Sequence, residues 1–282
     1  MLNRKQVMVV GSAIVLMGLM LSMDIQGLVK PKEESAAGPT SIQAAPPAKV
    51  FNVEEVSVLS KQDLTANLRK QVTDLEAALK SASENEKVDL HKKLAQQWDD
   101  LNQATPAAFY YELIAQKEPG FTPWLKAGDK FTDAYQQTTD TLMQPALVQK
   151  AIFAYQQADK LQPNTSEVKT GLGIAYVSGT SNPMQGIQLL LEVVKNDPKN
   201  LKANLNLGLF SMKSGQYEKA VDRFKTVIAQ APSAEAWFYL ASSYENMGMK
   251  SEAIGAYLKT KEIAADPNMS QFVDRKVNEL SN

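Results

Sequence analysis

The stretch LKANLNLGLFSMKSGQYEKAVDRFKTVIAQAPSA, residues 201–234, decides the fold. Its apolar and small residues recur at helical spacing in two runs, which Gly215 separates. Leu207 and Gly208 lie in the first run, and Ala220 stands four residues before a phenylalanine in the second. Pro232 closes the stretch, because proline cannot continue a helix. The pattern predicts two antiparallel helices joined by a short turn.

The same pattern recurs along most of the chain. Prolines 119, 163, 198, 232 and 267 are separated by 44, 35, 34 and 35 residues. A small residue stands four positions before a large one in five places: Ala107 and Tyr111, Ala151 and Tyr155, Gly186 and Leu190, Ala220 and Phe224, Ala253 and Tyr257. This spacing resembles the tetratricopeptide-repeat (TPR) family, whose unit of about 34 residues follows the pattern W-x₂-L-G-x₂-Y…A-x₃-F…P. The resemblance is strong over residues 166–267 and weaker over 88–164.

The resemblance implies an all-α fold, a TPR helical solenoid with about three clear and two divergent helix–turn–helix units. The array is expected over residues 88–267, with extra residues of the second unit around Thr138–Pro145. A capping helix is expected over 269–281, because Phe272, Val273, Val277 and Leu280 share one side of it. A single unit cannot bury its own apolar face, so stacked units should share a continuous core.

The N-terminus predicts a transmembrane helix. Between Lys5 and Asp24 lie 18 residues without a charge, which as a helix span about 27 Å and match the bilayer core. We expect residues 1–6 to be a cytoplasmic tail and residues 7–23 to be the anchor, because cations precede the run and an anion follows it. A cleaved signal peptide is the alternative, but the run is long and no small-x-small site ends it. A mitochondrial or other eukaryotic anchor with cytosolic repeats is another.

Two segments separate the anchor from the array. Residues 31–59 are predicted to be a flexible tether, because the part before Val50 holds four prolines and no aromatic residue. Residues 60–82 are predicted to form an amphipathic helix, with one apolar stripe made of Leu64, Leu68, Val72, Leu75 and Leu79. The stripe fits either a helix packed against the first repeat or weak self-association through a short coiled coil; its length favours packing.

The resemblance also implies a partner-binding groove, lined by the first helices of successive units. The predicted groove residues are Thr170, Ile174, Val177, Lys202, Leu205, Leu209, Met212, Phe238, Ser242 and Glu245. These side chains depart from the Lys, Asn and Arg set with which some family members hold a C-terminal carboxylate. The groove is therefore expected to accept an apolar helix or extended peptide. The alternative is that these side chains pack against neighbouring helices.

Composition and motifs argue against other classes of protein. With 30 Lys and Arg against 31 Asp and Glu, the chain has no net positive charge that would attract nucleic acid. It has no cysteine and one histidine, His91, which excludes thiolate and multi-histidine metal sites. No nucleotide, hydrolase or metalloprotease motif occurs. Asp99 and Asp100 are interpreted as solvated charges, because adjacent helical residues do not face each other. We expect no enzyme, metal or cofactor.

The sequence thus predicts a single-pass inner-membrane protein with a periplasmic TPR domain, acting as a scaffold or adaptor for a protein or peptide partner. A chaperone-like binder of translocated or unfolded chains is one alternative, and an oligomeric structural element assembled through residues 60–82 is another. Neither the partner nor the pathway follows from the residues.

Overall fold

The computed structural model describes residues 51–282, and every regular element in that range is a helix. The helices are α1 (Val53–Ser60), α2 (Ala66–Ser81), α3 (Glu84–Asp100), α4 (Ala104–Lys117), α5 (Phe121–Gln137), α6 (Gln144–Leu161), α7 (Ser166–Gly179), α8 (Pro183–Asn196), α9 (Leu201–Lys213), α10 (Tyr217–Ile228), α11 (Ala234–Asn246), α12 (Lys250–Ala264) and α13 (Pro267–Ser281). A single 3₁₀ turn, Lys61–Asp63, follows α1.

Ten of these helices form five antiparallel pairs: α3 with α4, α5 with α6, α7 with α8, α9 with α10, and α11 with α12. Packing runs almost entirely between helices that are close in sequence, which is the contact pattern of a solenoid. The first helix of each pair also packs against the second helix of the preceding pair. The described residues therefore form the expected all-helical, TPR-like solenoid.

The fourth pair, α9 and α10, shows why the sequence folds this way. A Cβ atom on Gly208 would lie 2.7 Å from a ring carbon of Phe224, so only glycine lets the two helices approach this closely. Gly215 follows α9 with φ +73°, and Gly248 follows α11 with the same value. A left-handed residue at these points is readily supplied by glycine. The turn predicted at Gly215 is present, and Gly248 makes the same turn in the next pair.

Residues 51–59 correct the predicted tether. Asn52 and Glu55 form a capping box, in which the Glu55 amide donates to Asn52 Oδ1 at 2.8 Å. Phe51 and Val56 are buried in the core. This end of the predicted tether was wrong, because the cap and two buried side chains hold α1 in place. Residues 31–50 lie outside the described residues.

The helix predicted over 60–82 begins later than expected, at Ala66. Lys61–Asp63 forms the 3₁₀ turn and Leu64 is extended, so the chain bends before α2. Val72 is fully buried and belongs to the main core, while Leu68 and Leu75 pack against that core. The apolar stripe therefore covers the start of the array, as the packing interpretation requires.

The second pair contains the predicted extra residues. Its helices α5 and α6 have 17 and 18 residues, against 13 and 12 in α9 and α10. The final helix α13 buries Val273 against α12, in the position of the expected cap. Within residues 51–282 no helix combines the length and apolarity needed to cross a membrane. The predicted anchor, residues 7–23, lies outside the described residues.

Candidate interaction surface

The first helices α7, α9 and α11 carry the predicted groove residues, which fall into buried and half-exposed groups. Ile174 is 1% exposed and Thr170 is 2% exposed, with its hydroxyl donating to the Ser166 carbonyl at 2.7 Å. Val177 is half-buried and faces α8, since a Cβ atom on Gly186 would lie 2.7 Å from it. The assignment of Ile174 to the groove is corrected: its side chain belongs to the core, which leaves no atom for a partner.

The α9 residues are more accessible. Leu205, Leu209 and Met212 are each half-buried and pack on the core formed by α10 to α13. Their spacing of four and three residues places them on one face of the helix. Partly exposed apolar side chains in a row are suited to contact an apolar stripe on another chain.

Lys202 lies at the start of α9 and reaches back to an earlier pair. Its Nζ atom lies 2.8 Å from Oδ1 of Asp129 on α5, a residue 73 positions away in sequence. Both side chains are exposed, so the pair adds little stability, typically about 0–1 kcal/mol. The Lys202–Asp129 pair lines a pocket of about 140 Å³ between α5, α7 and α9, together with Leu125, Ser166 and their neighbours.

Residues of α11 connect to the capping helix. Phe238 is half-buried, with its ring centroid 5.9 Å from that of Tyr257 and 5.7 Å from that of Phe272. Ser242 is half-buried, and its carbonyl accepts a bond from Asn246 at 2.8 Å. These contacts make Phe238 part of the packing between α11, α12 and α13.

Glu245 forms a three-residue contact at the C-terminal end of the surface. It accepts a bond from the Tyr257 hydroxyl on α12 at 2.6 Å and another from Lys276 on α13 at 2.8 Å. Burial raises the pKa of Glu245, but the bonds from Lys276 and Tyr257 outweigh it and hold that pKa below its usual range. We call this arrangement an acid–tyrosine–lysine link.

A second acid–tyrosine–lysine link lies near the other end of the array. Asp99 on α3 accepts a bond from the Tyr111 hydroxyl at 2.8 Å and another from Lys130 at 2.7 Å. Burial and the bond to Asp99 raise the pKa of Tyr111. The interpretation of Asp99 as a solvated charge was therefore wrong: its side chain is 19% exposed and tied to two neighbouring helices.

The two links have identical sequence spacing. The acid precedes its tyrosine by 12 residues and its lysine by 31 in both cases. Asp129 of the second pair accepts bonds from the same two residue types at other spacings, from the Tyr155 hydroxyl at 2.9 Å and from Lys202 of α9 at 2.8 Å. The Tyr155 hydroxyl also lies 3.0 Å from the Thr132 hydroxyl. Burial, with Asp129 nearby, raises the pKa of Tyr155.

The third and fourth pairs carry no hydroxyl at the tyrosine position. Leu190 and Phe224 stand there, both fully buried. Twelve residues before them stand Ser178 and Met212. Neither pair therefore has an acid and a tyrosine at the spacing that the two links use.

Two further titratable residues, His91 and Asp133, have shifted pKa values. Burial, aided by the charges of Lys117 and Lys87, lowers the pKa of His91, which packs 6.0 Å from the Tyr110 ring. Burial raises the pKa of Asp133, with Lys130 opposing and Asp129 assisting. No group of three or more metal-ligating side chains is arranged around a common point in the described part of the chain.

Family models match the C-terminal part of this surface. The tetratricopeptide repeat model matches residues 182–244, and a second tetratricopeptide repeat model matches residues 235–263. Together the two models match residues 182–263, which contain the accessible groove residues of α9 and α11. The earlier helices, α3 to α7, continue the same helix–turn–helix arrangement outside the matched residues.

Several solved structures are similar to this chain. A crystal structure of MamA is 20% identical at a TM-score of 0.46, covering 61% of this chain and 95% of MamA. A MamA structure from Desulfovibrio magneticus RS-1 is 18% identical at a TM-score of 0.47, covering 64% and 96%. YrrB, described as a TPR protein with an unusual peptide-binding site, is 16% identical at 0.43, covering 71% and 97%. No curated protein matches the sequence.

Sequence reasoning missed the links that join the units. Asp99, Tyr111 and Lys130 lie on three helices, so their contact depends on how one pair is rotated onto the next. One signal was available, namely the recurrence of an acid, a tyrosine and a lysine at intervals of 12 and 31 residues in two distant units.

Proposed function

We propose that this chain is a protein-interaction scaffold, whose TPR units hold an apolar segment of a partner protein along α9 and the helices beside it. The observation that carries the proposal is the row of half-exposed Leu205, Leu209 and Met212. These three side chains are apolar, so a partner that covers them desolvates no charge of the row.

We further propose that residues 7–23 anchor the chain in an inner membrane and that the repeats lie in the periplasm. The uncharged run and the flanking Arg4, Lys5 and Asp24 support this orientation. The test is protease treatment of intact and permeabilised spheroplasts, with the membrane fraction washed at alkaline pH. Digestion of the repeats in intact spheroplasts, with a full-length chain in the washed membrane, is the expected result. A released chain shortened at its N-terminus would indicate a cleaved signal peptide instead.

The scaffold proposal is tested by crosslinking in cells and affinity purification through a C-terminal tag. The variant Leu205→Glu/Leu209→Glu adds two charges to the apolar row. The matched control Leu142→Glu/Leu258→Glu makes the same change at two exposed leucines away from the row. One or a few proteins lost from the first variant alone is the expected result, with circular dichroism showing both variants folded.

Two other outcomes of the crosslinking experiment would contradict the scaffold proposal. Loss of a broad mixture of exported chains would favour the chaperone-like alternative, which relies on apolar area without sequence preference. An identical set of partners in wild type and both variants would show that the α9 row is packing surface, and the scaffold proposal for this face would be abandoned.

A further inference from the structure

A cleft opens between the third and fourth pairs, on a different face of α9 from the leucine row. It has a volume of about 280 Å³, several times the roughly 30 Å³ that one water molecule occupies. Apolar side chains from two helices form its floor: Ile187 and Leu191 of α8, and Leu207 and Phe210 of α9. Leu191 remains 44% exposed. We call this feature the inter-repeat cleft.

The inter-repeat cleft exists because α9 carries a small side chain where the next repeat carries a large one. Leu207 and Gly215 correspond to Leu240 and Gly248 in the following unit, 33 residues on. By the same shift, Ser211 corresponds to Tyr244, which is buried in the core. The serine lines the inter-repeat cleft and leaves the volume of a large side chain unfilled.

The rim of the inter-repeat cleft is polar and carries more cations than anions. Lys219, Asp222 and Arg223 of α10 line it. Within residues 51–282, the Arg223 guanidinium makes one hydrogen bond, to Asn204 Oδ1 at 2.9 Å. A guanidinium has several further N–H donors in a rigid fork that suits carboxylates. An apolar floor beside such a fork favours an acidic ligand with an apolar side chain.

We propose that the inter-repeat cleft receives one bulky apolar side chain, aromatic or leucine, from an acidic segment of a partner protein. The apolar side chain fills the space that Ser211 leaves, and a neighbouring carboxylate accepts bonds from Arg223. This second docking site is independent of the scaffold function proposed for the α9 leucine row, because it uses the opposite face of the helix. An array with both sites holds two chains, or two segments of one chain, at once.

The test uses the full-length chain and three acetylated, amidated pentapeptides. They are Asp-Glu-Phe-Glu-Asp, the same peptide with Ala in place of Phe, and Lys-Lys-Phe-Lys-Lys. Binding is followed by methyl NMR at Ile187, Leu191 and Leu207. The expected result is saturable binding of the acidic Phe peptide, with at least about tenfold weaker binding of both others. The tenfold difference in affinity is expected because the Ala peptide lacks the aromatic side chain to be buried, and the Lys peptide lacks the carboxylates that match Arg223.

Three variants connect the binding to the inter-repeat cleft. Ser211→Tyr fills it and Leu191→Asp places a repelling charge at an exposed edge, so either should abolish binding of the acidic Phe peptide. Arg223→Gln should weaken binding several-fold. The row variant Leu205→Glu/Leu209→Glu should bind as wild type does, which separates this site from the proposed groove.

The proposal is overturned if wild type gives no saturable methyl shifts, or if the Ala peptide binds as well as the Phe peptide. Unchanged binding by folded Leu191→Asp would overturn it too. That variant changes an exposed side chain, so it remains informative if Ser211→Tyr fails to fold.

Discussion

Lys130 reaches back from α5 to Asp99 on α3, with 2.7 Å between Nζ and Oδ1, and so joins the first two helix pairs. Lys276 and Glu245 join the last pair to the capping helix at the same sequence separation of 31 residues. Because the units of a solenoid are related by a nearly constant rotation, equal spacing in sequence produces an equal contact in space. The same acid–tyrosine–lysine link therefore joins neighbouring helices at both ends of the array.

The tyrosine of each link should contribute measurable stability. Tyr111→Phe or Tyr257→Phe removes a hydroxyl that donates to a partly buried carboxylate, and we expect each to lower the free energy of unfolding by about 1 kcal/mol. Urea denaturation followed by circular dichroism measures the change. Tyr217→Phe is the matched control, because its hydroxyl makes no hydrogen bond to any residue in the range 51–282, and it should change stability by less than about 0.5 kcal/mol. Equal effects at all three tyrosines would argue against the links.

Acid should weaken the link at the capping helix. The pKa of Glu245 in the folded protein lies below its ordinary value near 4.5, so its contribution is fully present above that value. It is lost as the pH falls through the lowered pKa, when the carboxylate takes up a proton. Wild type should therefore lose more stability than Glu245→Gln between pH 6 and pH 3, measured by urea denaturation at each pH. Parallel pH profiles would contradict the assignment.

Two helical glycines should respond in opposite directions to alanine. A Cβ atom on Gly186 would lie 2.3 Å from the Gly173 carbonyl oxygen, which is backbone and cannot move aside cheaply. We expect Gly186→Ala to destabilise the protein by about 1–3 kcal/mol. Gly255 in α12 has no atom within 4 Å of such a Cβ. Gly255→Ala should stabilise by up to about 1 kcal/mol, through helix propensity. Thermal unfolding compares the two, and a shared sign would refute the close approach of α7 and α8.

The N-terminal helices should behave as part of the array. Val72 is fully buried, so Val72→Ala should lower the free energy of unfolding by about 1–2 kcal/mol without changing the sedimentation coefficient. Val58→Ala is the control, since that side chain is 58% exposed. A change in oligomeric state caused by Val72→Ala would instead support the coiled-coil interpretation of residues 60–82.

Sequence alone predicted the architecture well because each unit repeats a local pattern. A close helix pair is predicted by Gly208, Ala220 and Phe224, and its turn is predicted by Gly215. All four residues lie within one unit. Such signals need no knowledge of the superhelix. The all-helical solenoid of helix pairs follows from them.

Features that depend on geometry between units could not be predicted in this way. Ile174 has the spacing of a groove residue, yet it is buried by neighbouring helices. Asp99 looks solvated beside Asp100, yet Lys130 of the next unit covers it. The residues before Ser60 looked like tether because α1 is short, although the pair Asn52 and Glu55 is a recognisable helix start.

The buried core divides into two clusters, one ending at Leu207 and the other beginning at Ala220, and α9 borders both. The inter-repeat cleft lies at the same boundary. In a linear array each unit is held only by its neighbours, so a junction beside an open cleft resists tension less than a filled one. When the chain is pulled between Phe51 and Asn282, the helices should therefore separate first at α9. The parts on either side of α9 should then unfold as two separate blocks.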